Sequence, residues 1–381
     1  MRKLRLHVIG IPHTRTTTEY TSCAITQKAL TFCHMMHARG HEIYHYGVEG
    51  SCPDCTENVT VVSNEIYDRV YGNTPKLGPY HFDLSDECYT EFYKNAINEI
   101  GKRKKEGDII LPFWGVGVKP ICDAHQDIVT VEPGIGYPGS FARFRIYESY
   151  AWLNCQLGAE NMPDWYHFVI PAFFDVSRYE PNMSTERRLS DPYLLFLGRV
   201  TGSKGVNIAL ELSDRLNMRL KVAGPVYDDY ASFEWPSNVE YLGPVSGEQR
   251  ASLMRNAVAT VMPTVYSEPF GYVQVESMLY GTPVITTDWG SFPEVNANGV
   301  SGYRCRTFKD FVDAAKNCLA GKVSPQSCRS HGELFSTELA VPKYEKVFGD
   351  ILDIYTEEGW YRLSSCTQAK IEASIKGKRY V

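Results

Sequence analysis

The chain has 381 residues, 43% of them hydrophobic and 22% charged, with a net charge of −6 at neutral pH. That length can form two full domains with substantial cores, and the mildly acidic balance excludes a global attraction to nucleic acid or anionic lipid. No apolar run approaches the roughly 18–20 residues that cross a bilayer, and the 11 cysteines are scattered and odd in number, which points to reduced thiols in a cytoplasmic protein.

The basic opening Met1-Arg-Lys-Leu-Arg5 is followed by an apolar stretch too short and interrupted for a signal peptide, so Leu4–Ile11 is predicted as a first strand. The loop after it, Pro12-His-Thr-Arg-Thr-Thr-Thr18, is rich in hydroxyls. These suit phosphate or sugar ligands and equally a capped helix entrance; His13 and Thr16 are candidate cleft contacts. A helix follows over Cys23–Ala38, with Ile25, Ala29, Phe32 and Met36 on one face and Gly40 ending it, then a strand over Glu42–Gly47. Cys52-Pro-Asp-Cys55 lacks the second pair that a zinc site needs, so no metal site is predicted. Residues 56–107 mix aromatic, acidic and lysine-rich pieces that give no order of elements.

Asp108–Phe113 and Asp127–Glu132 read as strands flanking a segment near Pro120–His125, and His167–Pro171 closes a doubly wound first half. Gly134-Ile-Gly-Tyr-Pro-Gly139 is a literal dinucleotide fingerprint, but Pro138 removes an amide inside the turn and the motif falls late in the domain. A tight acceptor-side loop is the preferred reading, with Glu132 as a cleft contact. A helix is predicted around Phe141–Trp152, its Arg143, Arg145 and Glu148 being solvated charges or acceptor contacts.

In the second half, the apolar strand from Tyr193 ends at Gly198 and leads through Arg199 to Lys204 and a helix. Two cations on either side of a glycine turn can close on a diphosphate, arginine with a planar fork and lysine with a mobile point charge. The run Val258–Val265 reads as a buried strand and Pro283–Thr287 as another. Between them lies Glu268-Pro-Phe-Gly-Tyr-Val-Gln-Val-Glu276, which places Glu268 at the carboxyl edge of a strand, where ligands of α/β proteins sit. Phe270, Gly271 and Tyr272 would offer free N–H groups at the helix start, and Glu276 would rise on the same side. A final helix is predicted over Lys343–Tyr355, and the residues after it as a flexible tail.

Together these stretches resemble the retaining glycosyltransferases of family 4, from about Ile170 to Tyr355. The resemblance rests on Gly198-Arg199 with Lys204-Gly205, Val222-Ala-Gly-Pro225, Tyr241-Leu-Gly-Pro244, Glu268-Pro-Phe-Gly271 with Glu276, Gly281-Thr-Pro283, Pro293-Glu294 and Phe335-Ser336. It implies the GT-B fold: two Rossmann-like doubly wound α/β domains facing across a cleft. Residues 1–175 would be the acceptor-side domain and 176–341 the donor-binding domain. Residues 342–363 would form a helix returning to the first domain, and 364–381 a basic tail.

By the same resemblance, Arg199 and Lys204 bind the diphosphate and neutralise the leaving group, Glu268 contacts hydroxyls of the transferred sugar, and Glu276 accepts hydrogen bonds from the ribose. Gly198 and the backbone of Phe270, Gly271, Tyr272 and Val273 complete the donor site, with Gly243 near the base. The implied reaction moves a hexose-type sugar from a UDP- or GDP-sugar to an acceptor hydroxyl of a glycan or glycoconjugate, with retention and without a metal or other cofactor. The chain departs from the family in its first loop, where paired glycines are usual, and in carrying Glu132 where many relatives place a histidine nearby. Two alternatives stand beside this reading: a sugar-nucleotide epimerase of similar architecture and a non-catalytic sugar-nucleotide sensor.

Overall fold

The computed structural model describes residues 2–78, 80–160, 166–227, 230, 232–356 and 365–375. The first half forms a seven-stranded sheet from β1 (Arg5–Ile9), β2 (Glu42–Val48), β3 (Glu57–Val62), β4 (Ile109–Pro112), β5 (Val129–Ile135), β6 (Phe144–Tyr147) and β7 (His167–Val169). Its order is β3-β2-β1-β4-β5-β6-β7 with every neighbouring pair parallel. The second half forms a six-stranded sheet from β8 (Tyr193–Leu197), β9 (Arg219–Ala223), β10 (Val239–Tyr241), β11 (Ala259–Met262), β12 (Val284–Thr287) and β13 (Gly302–Cys305). Its order, β10-β9-β8-β11-β12-β13, is again all parallel. Strand order reverses between β1 and β4 in one sheet and between β8 and β11 in the other, so each half has a crevice at its carboxyl edge.

Residues 56–107, unordered in the sequence reading, resolve into β3 and two helices, Asn64–Tyr71 and Glu87–Arg103. Each helix starts on a side-chain cap: Ser63 Oγ accepts from Ile66 N–H, and Asp86 Oδ1 accepts from Tyr89 N–H at 2.8 Å. The helix expected around Phe141–Trp152 is a correction. Phe144–Tyr147 is a strand, and the helix begins only at Tyr150 and runs to Glu160. An apolar run this short carries either period. Here the buried slot between β5 and β7 decides, with Phe144, Ile146 and Tyr147 all buried.

The last long helix starts earlier than expected, at Thr337, and runs through Pro342 to Thr356. Its residues Tyr344, Phe348, Ile351 and Leu352 join the core of the first sheet beside Leu6, Phe32 and Phe113. Glu345 is bonded there by Arg39 and His41. The chain therefore crosses between the halves twice, and the crossings touch. Phe174 pairs with Ser336 in a parallel bridge, Phe174 N–H donating to Phe335 O and Thr337 N–H to Phe174 O. Within the segment expected to be a flexible tail, Ser365–Ile375 is helical and exposed at residues 366–375; Lys376, Lys378 and Arg379 lie outside the described residues. Among the described residues no helix is long and apolar enough to cross a membrane.

Candidate functional site

The second crevice is built from glycine turns at three neighbouring strand ends. After β8, Gly198 N–H donates to Ala223 O; after β9, Gly224 N–H donates to Gly243 O. A Cβ on Gly224 would stand 1.8 Å from Gly198 O, so the two turns press together only because that side chain is missing. Arg199 is exposed at this edge. Thr201 then caps a short turn, its Oγ1 accepting from Lys204 N–H at 3.2 Å. Gly205 follows in the left-handed region at φ 76°, with its α-carbon so close to Pro263 that a Cβ would lie 2.0 Å from the carbonyl oxygen. This contact carries Lys204 across to the loop that leaves β11.

There Lys204 Nζ lies 2.6 Å from Glu268 Oε2 and 4.9 Å from the centre of the Tyr266 ring. Burial works against the charge on Lys204, yet the adjacent carboxylate of Glu268 holds its pKa above the usual lysine value. Glu268 is itself fixed from behind, its carbonyl accepting from Ser291 N–H at 3.0 Å. Gly290, at φ 59°, lies so close that a Cβ would stand 2.8 Å from Glu268 N.

Gly271, at φ 80°, opens the helix Tyr272–Leu279. Gln274 N–H is the donor that bonds back to Gly271 O, so the amides of Tyr272 and Val273 precede the helical ladder. Phe270 is buried against Phe174 and Phe335, which fixes the turn. Glu276 lies in this helix and is gripped by the two terminal guanidinium nitrogens of Arg250, at 2.9 and 2.5 Å. Burial opposes the Arg250 charge, and Glu276 raises its pKa over that opposition.

The two acids thus each have a cation of their own. Lys204 was expected at this site, as a ligand of the diphosphate and not as the partner of Glu268. Arg250, on the helix Gly247–Asn256, was not: nothing in its local pattern separates it from a solvated helical arginine.

Among the described residues, His13, Thr16 and Glu132 are not bonded to either pair. His13 is buried in an aromatic enclosure, stacked on Phe82 at 4.9 Å between ring centres and edge-on to Trp114 at 5.0 Å, with Nδ1 2.8 Å from the Tyr89 hydroxyl. Burial lowers its pKa to about 4. Thr16 is buried too, its hydroxyl 3.0 Å from Nε2 of His45, whose pKa burial also lowers to about 4. Glu132 is fully buried and holds the following loop from inside, Oε2 accepting from the N–H groups of Phe141 and Ala142 at 2.8 Å each. Burial raises its pKa to about 7 despite those donors. The glycine fingerprint beginning at Gly134 straddles the end of β5 and leads into β6, with no helix N-terminus to receive a pyrophosphate.

Of the two readings given to Glu148, a solvated charge or an acceptor contact, the structure corrects the first. It is buried, not solvated, and pairs with Lys28 at 2.6 Å. The Tyr272 hydroxyl, from the second half, also donates to it. Beside it, Ser149 Oγ donates to Pro269 O at 2.6 Å, while the N–H groups of Tyr150 and Ala151 donate to Glu294 at 2.9 and 2.7 Å. A lysine on the apolar face of the first helix was the one sequence signal that this cluster offered.

Residues 182–334 match the family described as glycosyl transferases group 1. Over 152 residues the chain is 30% identical to an uncharacterized glycosyltransferase of Methanocaldococcus jannaschii, covering 36% of this chain and 39% of that protein. Over 179 residues it is 29% identical to the D-inositol 3-phosphate glycosyltransferase of Mycobacterium tuberculosis, covering 41% of this chain and 37% of the relative. The chain thus spans about two fifths of the length of these curated relatives. Among solved structures it is similar to AviGT4, a glycosyltransferase involved in avilamycin A biosynthesis (TM-score 0.68, 19% identity, 92% of this chain and 98% of that one). It is also similar to HepE of Anabaena in complex with UDP-glucose (TM-score 0.65, 13% identity, 91% and 99%). The fold is that of the GT-B glycosyltransferases, with two Rossmann-like parallel-sheet halves.

Proposed function

We propose that this protein is a retaining glycosyltransferase that moves a hexose-type sugar from a UDP- or GDP-sugar to an acceptor hydroxyl of a glycan or glycoconjugate in the cytoplasm. The observation that carries the reading is the convergence of Lys204 and Glu268 from the ends of β8 and β11, at the point where strand order reverses. The match of residues 182–334 to glycosyl transferases group 1 supports the same reading.

Breaking a sugar–phosphate bond builds oxocarbenium character at the anomeric carbon and charge on the departing diphosphate. Arg199 and Lys204 neutralise that charge, and the first-turn amides of the helix at Tyr272 hold phosphate and sugar oxygens. Glu268 takes hydroxyls of the transferred sugar, and Glu276, held in place by Arg250, takes the ribose diol. The acceptor hydroxyl attacks from the face that the diphosphate leaves, and its proton passes to the departing phosphate oxygen. The side chains then supply positioning and charge, with no covalent intermediate and no metal.

Since Lys204 already neutralises Glu268, the arriving diphosphate brings its charge to a lysine that must turn or bridge. Arg199 at the open edge meets the phosphates first. A thermal-shift panel of UDP-, GDP-, ADP- and TDP-sugars tests the reading. Selective stabilisation by one base, abolished in Lys204→Ala, is expected; indifference to all of them overturns it.

A further inference from the structure

Resting on the donor-site reading above, we infer that Glu148, presented by the first half, is a positioning residue that fixes the first turn of the donor helix through the Tyr272 hydroxyl. Its carboxylate sits between groups from both halves. Lys28 Nζ pairs with Oε1 at 2.6 Å and is also held by the Gly134 carbonyl. On the far side, Tyr272 donates to the same oxygen. Room for the second oxygen exists because position 136 is glycine: a Cβ there would stand 2.2 Å from Glu148 Oε2. Lys28 and Glu148 are almost fully buried, and a buried pair of this kind is tolerated only when its remaining hydrogen-bonding capacity is met. Tyr272 adds a second donor to the oxygen that Lys28 holds.

Tyr272 is also the first residue of the helix whose leading amides face the donor site. Ser149 Oγ holds the same loop one turn earlier, at the Pro269 carbonyl. Glu294, from the second half, in turn accepts from the amides of Tyr150 and Ala151. Residues 148–151 therefore act as a strut against both ends of the segment from Pro269 to Tyr272. When the halves part, the strut withdraws and the first turn is left without its outer support, so the amide donors are fully aligned only in the closed molecule.

The test uses the full-length chain with Tyr272→Phe, Glu148→Gln and the double variant. Tyr272→Phe removes only the hydroxyl between the halves and leaves the Lys28–Glu148 pair, so it remains informative if Glu148→Gln fails to fold. Hydrogen–deuterium exchange of the peptide covering 268–276 is expected to quicken in both single variants, and no further in the double variant. Transfer should show kcat reduced by about tenfold or more while the calorimetric Kd for UDP or GDP moves by less than about threefold, the signature of lost alignment. Unchanged exchange in Tyr272→Phe, or losses that multiply in the double variant, overturn the strut. If the wild-type chain binds no nucleotide, the donor reading falls, and the exchange measurement still decides whether Glu148 orders this turn.

Discussion

Lys204 Nζ stands 2.6 Å from Glu268 Oε2, so the cation expected to meet phosphate and the acid expected to meet sugar are partners of each other. The pairing keeps Lys204 charged in a buried place, and a ligand that binds either partner must divide the two.

Glu268→Gln keeps the shape and removes the charge. Turnover is expected to fall by roughly 10²–10³, as when one preorganised transition-state contact is lost, with little change in the far-ultraviolet dichroism spectrum. Lys204→Ala leaves Glu268 without its cation and should weaken donor binding. It also destabilises the fold by up to about 3 kcal/mol, the scale set by breaking a buried pair. Combining the two substitutions should recover most of that stability in urea melts and none of the activity.

Arg250→Ala frees Glu276 from its two-pronged grip. Nucleotide affinity is expected to drop by about tenfold, the equivalent of one lost charge-assisted contact of about 1.4 kcal/mol. Preference for a ribonucleotide over its 2′-deoxy counterpart should narrow with it. Calorimetry with both nucleotides reads the effect, and an unchanged preference would separate Glu276 from the ribose.

Glu132 has its folded pKa raised to about 7 by burial, against an ordinary value of 4.5. Between these values the folded chain holds a proton that the unfolded chain has released. The stabilising contribution is complete below pH 4.5 and is lost as pH rises through 7. The loss amounts to about 3 kcal/mol, the free energy that separates a carboxyl titrating at about 7 from one titrating at 4.5. Glu132→Gln should flatten the decline in unfolding free energy between pH 5 and pH 8. His13 and His45, lowered to about 4, act in the opposite sense: their contribution is present above 6.5 and is lost as pH falls toward 4.

Gly205→Ala introduces a methyl group 2.0 Å from Pro263 O at a residue with φ 76°. A cost above about 1 kcal/mol is expected from the backbone conformation alone. Because the collision lies between β8 and β11, the displaced loop should also carry Lys204 away from Glu268. Donor binding is then expected to weaken beyond what the melting temperature explains.

What the sequence made legible was local. The run from Tyr193 through Gly198 to Lys204, and that from Val258 through Glu268 to Glu276, each hold a strand, a glycine turn and a helix start, and these appear where expected. The helix predicted at Cys23 begins one residue later for the same reason, its apolar face being set by a 3.6-residue period. What escaped was set by distant partners. Glu148 looks like surface charge until Lys28 and Tyr272, each more than a hundred positions away, close around it. Arg250 likewise gains its meaning only from Glu276 on a neighbouring helix. Phe144–Tyr147 becomes a strand because β5 and β7 leave a lane for it, a fact of sheet assembly that four residues cannot encode.

The bridge between Phe174 and Ser336 places both passages of the chain side by side. Any swing of one half against the other is then anchored where these two passages are bonded to each other, and it is opposed elsewhere by the bonds that residues 148–151 make to Pro269, Tyr272 and Glu294.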